Sequence, residues 1–150
     1  MSYNSILEAI KTNSEINPGK LCVGDKKNKA TCGQFWKMIN KGAAYLEKNG
    51  VKKGDVVVLR GAQKVEYLFS IFSIQLLGAI ACPLEKAVKE DRILEIMNFV
   101  ETKYFLDTKK LKDTSAECIS LKEMFKEAIN DETECDVNKY ELPKSDDLSE

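Results

Sequence analysis

The chain has no histidine. This removes the usual general base near neutral pH, the commonest metal-binding side chain, and any Ser-His or Cys-His nucleophile pair. Five cysteines are present, Cys22, Cys32, Cys82, Cys118 and Cys135, but they are dispersed and form no C-x-x-C pair. An odd, scattered set makes neither a secreted disulfide framework nor a zinc site. Reduced thiols in a cytoplasmic protein are the simplest account. Neither G-x-G-x-x-G nor G-x-x-x-x-G-K-[ST] occurs, so no phosphate-cradling loop is expected. The N-terminus, MSYNSILEAIKTN, lacks a basic flank and a long apolar run, and no signal peptide is read there.

What remains is a globular composition. The 150 residues fit one domain or one piece of a larger one, and 43% of them are apolar. A fold of that size hides ~70% of the surface its unfolded chain exposes, enough for a real core. Net charge is -1, but residues 131–150 hold eight acids against two lysines, leaving about +5 on residues 1–130. The lysines there are scattered over helices and turns, as on a solvated surface, so no nucleic-acid partner is expected. Tyr67 to Leu84 carries no charge and reaches the ~18-residue length of a membrane span. Ser70, Ser73, Gln75, Gly78 and Pro83 interrupt it, and Gly78 divides it into a buried helix and a buried strand rather than a span.

The pattern along the chain alternates helix and strand. Ser5 with Glu8 reads as a capping box opening a short helix that ends at Asn17-Pro18-Gly19. Leu21-Cys22-Val23 is a short strand, and Gly24 to Lys29 a polar turn. Thr31 with Gln34 is a second capping box. Its helix places Phe35, Ile39, Ala43 and Leu46 on one face, with Trp36 beside them. Gly50 is the expected left-handed helix stop, covered by Val51. Val56 to Leu59, apolar on both faces, reads as a central parallel strand. A helix over residues 64–77 leads to the strand Ala79 to Cys82. A helix over Glu90 to Phe99 leads to Tyr104-Phe105-Leu106, ending at Asp107. Ser120 and Glu123 cap a last helix carrying Leu121, Met124, Phe125 and Ile129. This β-α-β-α-β order predicts an α/β fold, a doubly wound and mainly parallel sheet over residues 1–130. Residues 131–150 read as an acidic connector or tail, poorly ordered alone.

Each candidate site residue has a structural reading. The glycines at 50, 54, 61 and 78 stand at element ends and shape the backbone. Asp55 closes the Gly54 turn with an Asx-type hydrogen bond. Arg60 stands at a strand's carboxyl end, where open α/β sheets bind ligands. It is either a ligand contact or, as favoured here, one half of a structural ion pair with Glu66 or Glu85; the same choice applies to Asp107. Cys82 has no basic neighbour and reads as an inert buried thiol. Phe35 and Trp36 read as core anchors. The residues taken alone predict no catalytic, cofactor-binding or metal-binding site.

Three blocks carry a resemblance. Thr31-Cys32-Gly33-Gln34-Phe35 is similar to a Thr-Tyr-x-Glu-Leu helix start. Gly50-Val51-Lys52-Lys53-Gly54-Asp55-Val56-Val57 matches Gly-Val-x-x-Gly-Asp-x-Val. Gly78-Ala79-Ile80-Ala81-Cys82-Pro83-Leu84 matches Gly-Ala-x-x-x-Pro-Leu. In this order and spacing they resemble the N-terminal part of the adenylate-forming, AMP-binding ligases of acyl-CoA synthetase type, of the kind found in fatty-acid metabolism. The likeness runs from about Leu21 to Asp107. Two departures stand out: Glu85-Lys86 follows the Pro-Leu pair where the family often has Asp-Pro, and Cys32 replaces an aromatic.

The resemblance implies a parent enzyme that joins a carboxylic acid to AMP using ATP and Mg²⁺. The acyl group then passes to the thiol of CoA or of a carrier protein's phosphopantetheine arm. Asp146-Asp147-Leu148-Ser149 looks like the lead-in to the family's phosphate loop, and the chain stops at Glu150. No family catalytic residue maps onto this chain. The expectation is an N-terminal fragment that binds no nucleotide itself, has the remainder of the enzyme as its partner, and self-associates through uncovered apolar faces. The competing expectation is a free-standing, non-catalytic interaction or regulatory domain. An unrelated doubly wound domain with a small ligand near Arg60 or Asp107 is a third reading.

Overall fold

The computed structural model describes residues 3–24, 29–61, 65–102, 104–107 and 117–129. The expected tail over residues 131–150 lies outside the described residues. Helix α1 runs Tyr3–Ile16 and is followed by the strands β1, Leu21–Gly24, and β2, Lys29–Thr31. Helix α2, Cys32–Lys48, leads to β3, Val56–Gly61. Then come α3, Val65–Leu76; β4, Ile80–Glu85; α4, Glu90–Phe99; β5, Tyr104–Asp107; β6, Glu117–Ser120; and α5, Leu121–Ala128.

Four strands form one parallel sheet in the order β4-β3-β5-β6. The β3-α3-β4 connection moves one way from β3, and α4 carries the chain back across β3 to β5. Crossovers of the same hand running in opposite directions put their helices on opposite faces. The core divides accordingly. Val57, Leu59 and Leu106 point into the larger cluster, with Phe35, Ile39 and Leu46 of α2, Phe69 and Ile74 of α3 and Met124 of α5. Val58 and Phe105 point the other way, onto Ile93 and Met97 of α4. Successive residues of a strand face opposite sides, and β3 and β5 are apolar on both.

The second capping box forms as expected. The Thr31 hydroxyl accepts from the Gln34 N–H at 3.3 Å, and the Thr31 N–H donates to Gln34 Oε1 at 2.9 Å. At the far end of α2, Gly50 has φ +97°, its N–H donates to the Glu47 carbonyl, and the Val51 N–H donates to the Leu46 carbonyl. This left-handed stop satisfies carbonyls that the helix leaves unpaired. Past Glu66 in its first turn, helix α3 carries no charge because it is buried: Phe69, Ser70, Ser73 and Ile74 are all 0% exposed. Among the described residues no helix is long and apolar enough to cross a membrane.

Four expectations need correction. Helix α1 begins at Tyr3, so Ser5 lies inside its first turn and is not its cap. The polar turn after Gly24 ends in a strand, β2, which pairs antiparallel with β1; it spans only Lys29–Thr31 and runs directly into a helix cap, so no alternating pattern marks it. Strand β4 continues through Pro83 to Glu85. It lies at the sheet edge, where proline's missing N–H costs no ladder bond. The strand β6, absent from the sequence reading, extends the sheet past β5.

Candidate functional site

The strand order reverses beside β3, so the crevice between the carboxyl ends of β3 and β5 is where such a sheet ordinarily takes a ligand. Leu59 is in register with Leu106, and the next residue of each strand is charged, Arg60 and Asp107. The two side chains pair with each other. Arg60 Nε donates to Asp107 Oδ2 at 2.9 Å, and Arg60 Nη2 lies 2.8 Å from the same oxygen. Arg60 Nη1 donates to the Val88 carbonyl at 2.6 Å, and the guanidinium lies 5.8 Å from the centre of the Phe105 ring. The side chains are 17% and 9% exposed. The crevice is therefore filled by a neutralised ion pair that also ties down the turn between β4 and α4.

The favoured structural reading of Arg60 and Asp107 matches this geometry, but the partner differs. Arg60 pairs with Asp107, not with Glu85, which is exposed; the side chain of Glu66 lies outside the described residues. Val88 and Phe105 were missed. The available signal was the position of both charges one step past a matched pair of strand leucines, readable only once β3 and β5 are known to be neighbours.

Nearby, Gly61 ends β3 where a Cβ would lie 3.0 Å from the Tyr67 ring. The Tyr67 hydroxyl donates to the Leu84 carbonyl at 3.1 Å. Burial raises the Tyr67 hydroxyl above its ordinary pKa. The Cys82 thiol is raised by burial alone, which fits an unreactive thiol. Phe35 and Trp36 are core residues, with Phe35 edge-on to Phe72 at 6.0 Å.

At the opposite, amino edge of the sheet lies an open cleft of about 820 Å³, lined by Lys52, Asp55, Glu101, Thr102 and Tyr104 among others. Its walls are turns held by their own bonds. Asp55 Oδ2 accepts from the Lys52 N–H at 2.8 Å, reaching back three residues rather than forward as in an Asx turn. The Tyr104 hydroxyl donates to the Gly50 carbonyl at 2.8 Å, and the Thr102 hydroxyl donates to the Val56 carbonyl. Among the described residues no group of three or more acids or cysteines could hold a metal ion.

The scaffold has known counterparts. The model of the AMP-binding enzyme family matches residues 10–149. The chain belongs to the AMP-binding enzyme family. Members similar in sequence include the nonribosomal peptide synthetase tcpP of Claviceps purpurea, 30% identical over 105 residues, which are 69% of this chain and 5% of that protein. The D-alanine–D-alanyl carrier protein ligase of Bacillus licheniformis is 24% identical over 102 residues, 68% of this chain and 20% of that one. The N-terminal subdomain of Klebsiella oxytoca NpsA, in complex with 3-hydroxybenzoyl-AMSN, superposes with a TM-score of 0.81 at 18% identity, covering 95% of this chain and 35% of that one. The O-succinylbenzoate coenzyme A synthetase of Bacillus subtilis, in complex with AMP, gives a TM-score of 0.74 at 17% identity over 89% of this chain and 34% of its own. The fold matches about a third of the N-terminal subdomain of an adenylate-forming enzyme. The chain spans a fifth or less of these sequence relatives and about a third of these structures.

Proposed function

We propose that this AMP-binding family chain is the N-terminal scaffold of a ligase that activates a carboxylic acid with ATP and passes the acyl group to a thiol. The observation that carries the reading is the family match over residues 10–149 on a fold spanning about a third of two adenylate-forming structures. A carrier-protein thiol is favoured over CoA as acceptor. The sequence relatives are a peptide synthetase and a carrier-protein ligase, and a further similar structure, NpsA-ThdA of Klebsiella oxytoca, is an artificially fused adenylation–PCP di-domain.

The described residues do not themselves fit ATP or Mg²⁺. Activation of a carboxylate needs preorganised positive groups around the transferring phosphoryl centre. At the carboxyl edge Arg60 is neutralised by Asp107, and the amino-edge cleft mixes Lys52 with Asp55 and Glu101. This chain's part is to hold a sheet edge in place, and the reacting groups belong to other segments of the enzyme.

The test has two readouts. Isothermal titration of the chain with MgATP should show no saturable binding in the micromolar range; micromolar affinity would overturn the scaffold role. Sequencing past codon 150 should reveal an in-frame Thr/Ser/Gly-rich loop, and the full product should exchange pyrophosphate into ATP when a carboxylic acid is supplied. A stop codon there, or a full product inert with every carboxylate, would favour the free-standing non-catalytic domain instead.

Self-association remains part of the proposal. The Val58 and Phe105 side of the sheet is packed by α4, with Cys82, Leu84 and Cys118 only partly buried around it, and Phe99 at the end of α4 is 88% exposed. Light scattering at high concentration should show species larger than a monomer; a strict monomer would count against it.

A further inference from the structure

Cys22 of β1 and Cys32 at the first position of α2 come together on one side of the β1–β2 hairpin. Leu21 pairs with Thr31 and Val23 with Ala30, so Cys22 is the extra residue of a bulge. A bulge releases its residues from strict alternation. Cys22 turns toward the core, where it packs against the cluster that includes Ala30. The Cys32 N–H donates to the Lys20 carbonyl at 2.8 Å, holding the start of α2 against the beginning of β1. Both thiols are free, Cys32 buried and Cys22 partly exposed, and they lie near enough that Cys32 raises the Cys22 thiol.

We propose that Cys22 and Cys32 are a redox-sensitive staple, closing to a disulfide that ties the hairpin to the first turn of α2. The oxidant is a low-molecular-weight disulfide such as glutathione disulfide. Cys22, the more exposed thiol, loses its proton and attacks one glutathione sulfur, and one glutathione leaves as thiolate. Cys32 then loses its proton and attacks the Cys22 sulfur of the mixed disulfide, and the second glutathione leaves. Two protein thiols are oxidised, one glutathione disulfide is reduced to two glutathiones, and the two protons end on the released thiolates. Burial, and next the Cys32 neighbour, push the Cys22 thiol up to about 11, so the first attack is slow at neutral pH and faster in alkali. The staple would fix one wall of a cleft of about 400 Å³ lined by Thr31, Gly33, Gln34 and Trp36 of this region and by Ser14 and Glu15 of α1. The proposal rests on the hairpin geometry and not on the ligase reading.

The test equilibrates the chain with glutathione redox buffers, quenches with acid, and maps peptides without reductant. The expected product has lost two hydrogens, retains no glutathione, and yields a Cys22–Cys32 linked peptide that dithiothreitol removes. Cys22→Ser and Cys32→Ser should each abolish the loss of two hydrogens; if either variant fails to fold, the wild-type map still decides. Oxidised protein should melt at a higher temperature than reduced protein, because the link restrains the unfolded chain. A stable glutathione adduct on Cys22, a link to Cys82, Cys118 or Cys135, no reaction across the redox range, or a lower melting temperature would each overturn the proposal.

Discussion

Arg60 and Asp107, 47 residues apart in sequence, meet at 2.8 Å across the carboxyl ends of two neighbouring parallel strands. Removing one partner of a buried pair leaves the other charge without compensation. Arg60→Met or Asp107→Leu should each cost about 3 kcal/mol in urea unfolding. The double variant, which buries no charge, should recover much of that loss. Single variants that each cost no more than the double would show that the pairing is not what matters there.

Glu101 occupies a glycine's position. It has φ +55°, follows α4, and donates its N–H to the Asn98 carbonyl at 3.3 Å, while Thr102 N–H reaches the Met97 carbonyl at 3.0 Å. This is the same helix stop that Gly50 makes after α2. The left-handed conformation costs a residue with a Cβ about 1 kcal/mol or more, so Glu101→Gly should stabilise by about 1 kcal/mol and Gly50→Ala should destabilise by a similar amount. Denaturant midpoints measure both, and a Glu101→Gly protein of lower stability would mean the side chain holds the cleft in a way the backbone does not reveal.

Gly42 lets α2 and α3 touch. A Cβ there would lie 2.2 Å from Ser73 Oγ and 2.9 Å from Phe69 Cε2. Ser73 cannot easily give way, since its hydroxyl lies 2.8 Å from the Phe69 carbonyl and 3.0 Å from that of Ile39. Gly42→Ala should therefore cost about 2 kcal/mol by overpacking. Adding Ser73→Ala should restore only part of it, because a Cβ at 42 would still meet the Ser73 Cβ at 2.9 Å. A neutral Gly42→Ala would show that the helices separate freely.

Alkaline pH should weaken the fold. Cys22 is raised from 9.0 to about 11 by burial and by Cys32, and burial also raises Cys82, Tyr45 and Tyr67. In each case the folded state holds its proton more tightly than the unfolded chain. The contribution is complete below the unfolded pKa and is lost as pH rises through the folded one. For Cys22 that window is pH 9.0 to about 11. The urea midpoint should fall across this window, and Cys22→Ala should flatten the fall. A midpoint that holds steady, or a slope unchanged in the variant, would argue against buried thiols as its cause.

Much of the scaffold could be read directly. Thr31, Gln34 and Gly50 mark both ends of α2 because caps are local bonds between neighbours in sequence. The apolar runs of β3 and β5 announce a sheet covered on both faces. Strands β2 and β6 escaped because three or four residues leading straight into a helix carry no period of their own. The candidate site was half legible: Arg60 and Asp107 were singled out, each without its partner.

What the sequence by itself determined is the set of elements, their alternation and the kinship carried by Gly50 to Leu84, since caps, periodicity and turn chemistry act over a few residues. Which strand lies beside which was decided in the tertiary structure. Strand β5 lands next to β3 rather than β4 because the chain crosses back over the sheet. That single placement brings Asp107 to Arg60 and fills the crevice where a sheet of this topology would otherwise take a ligand.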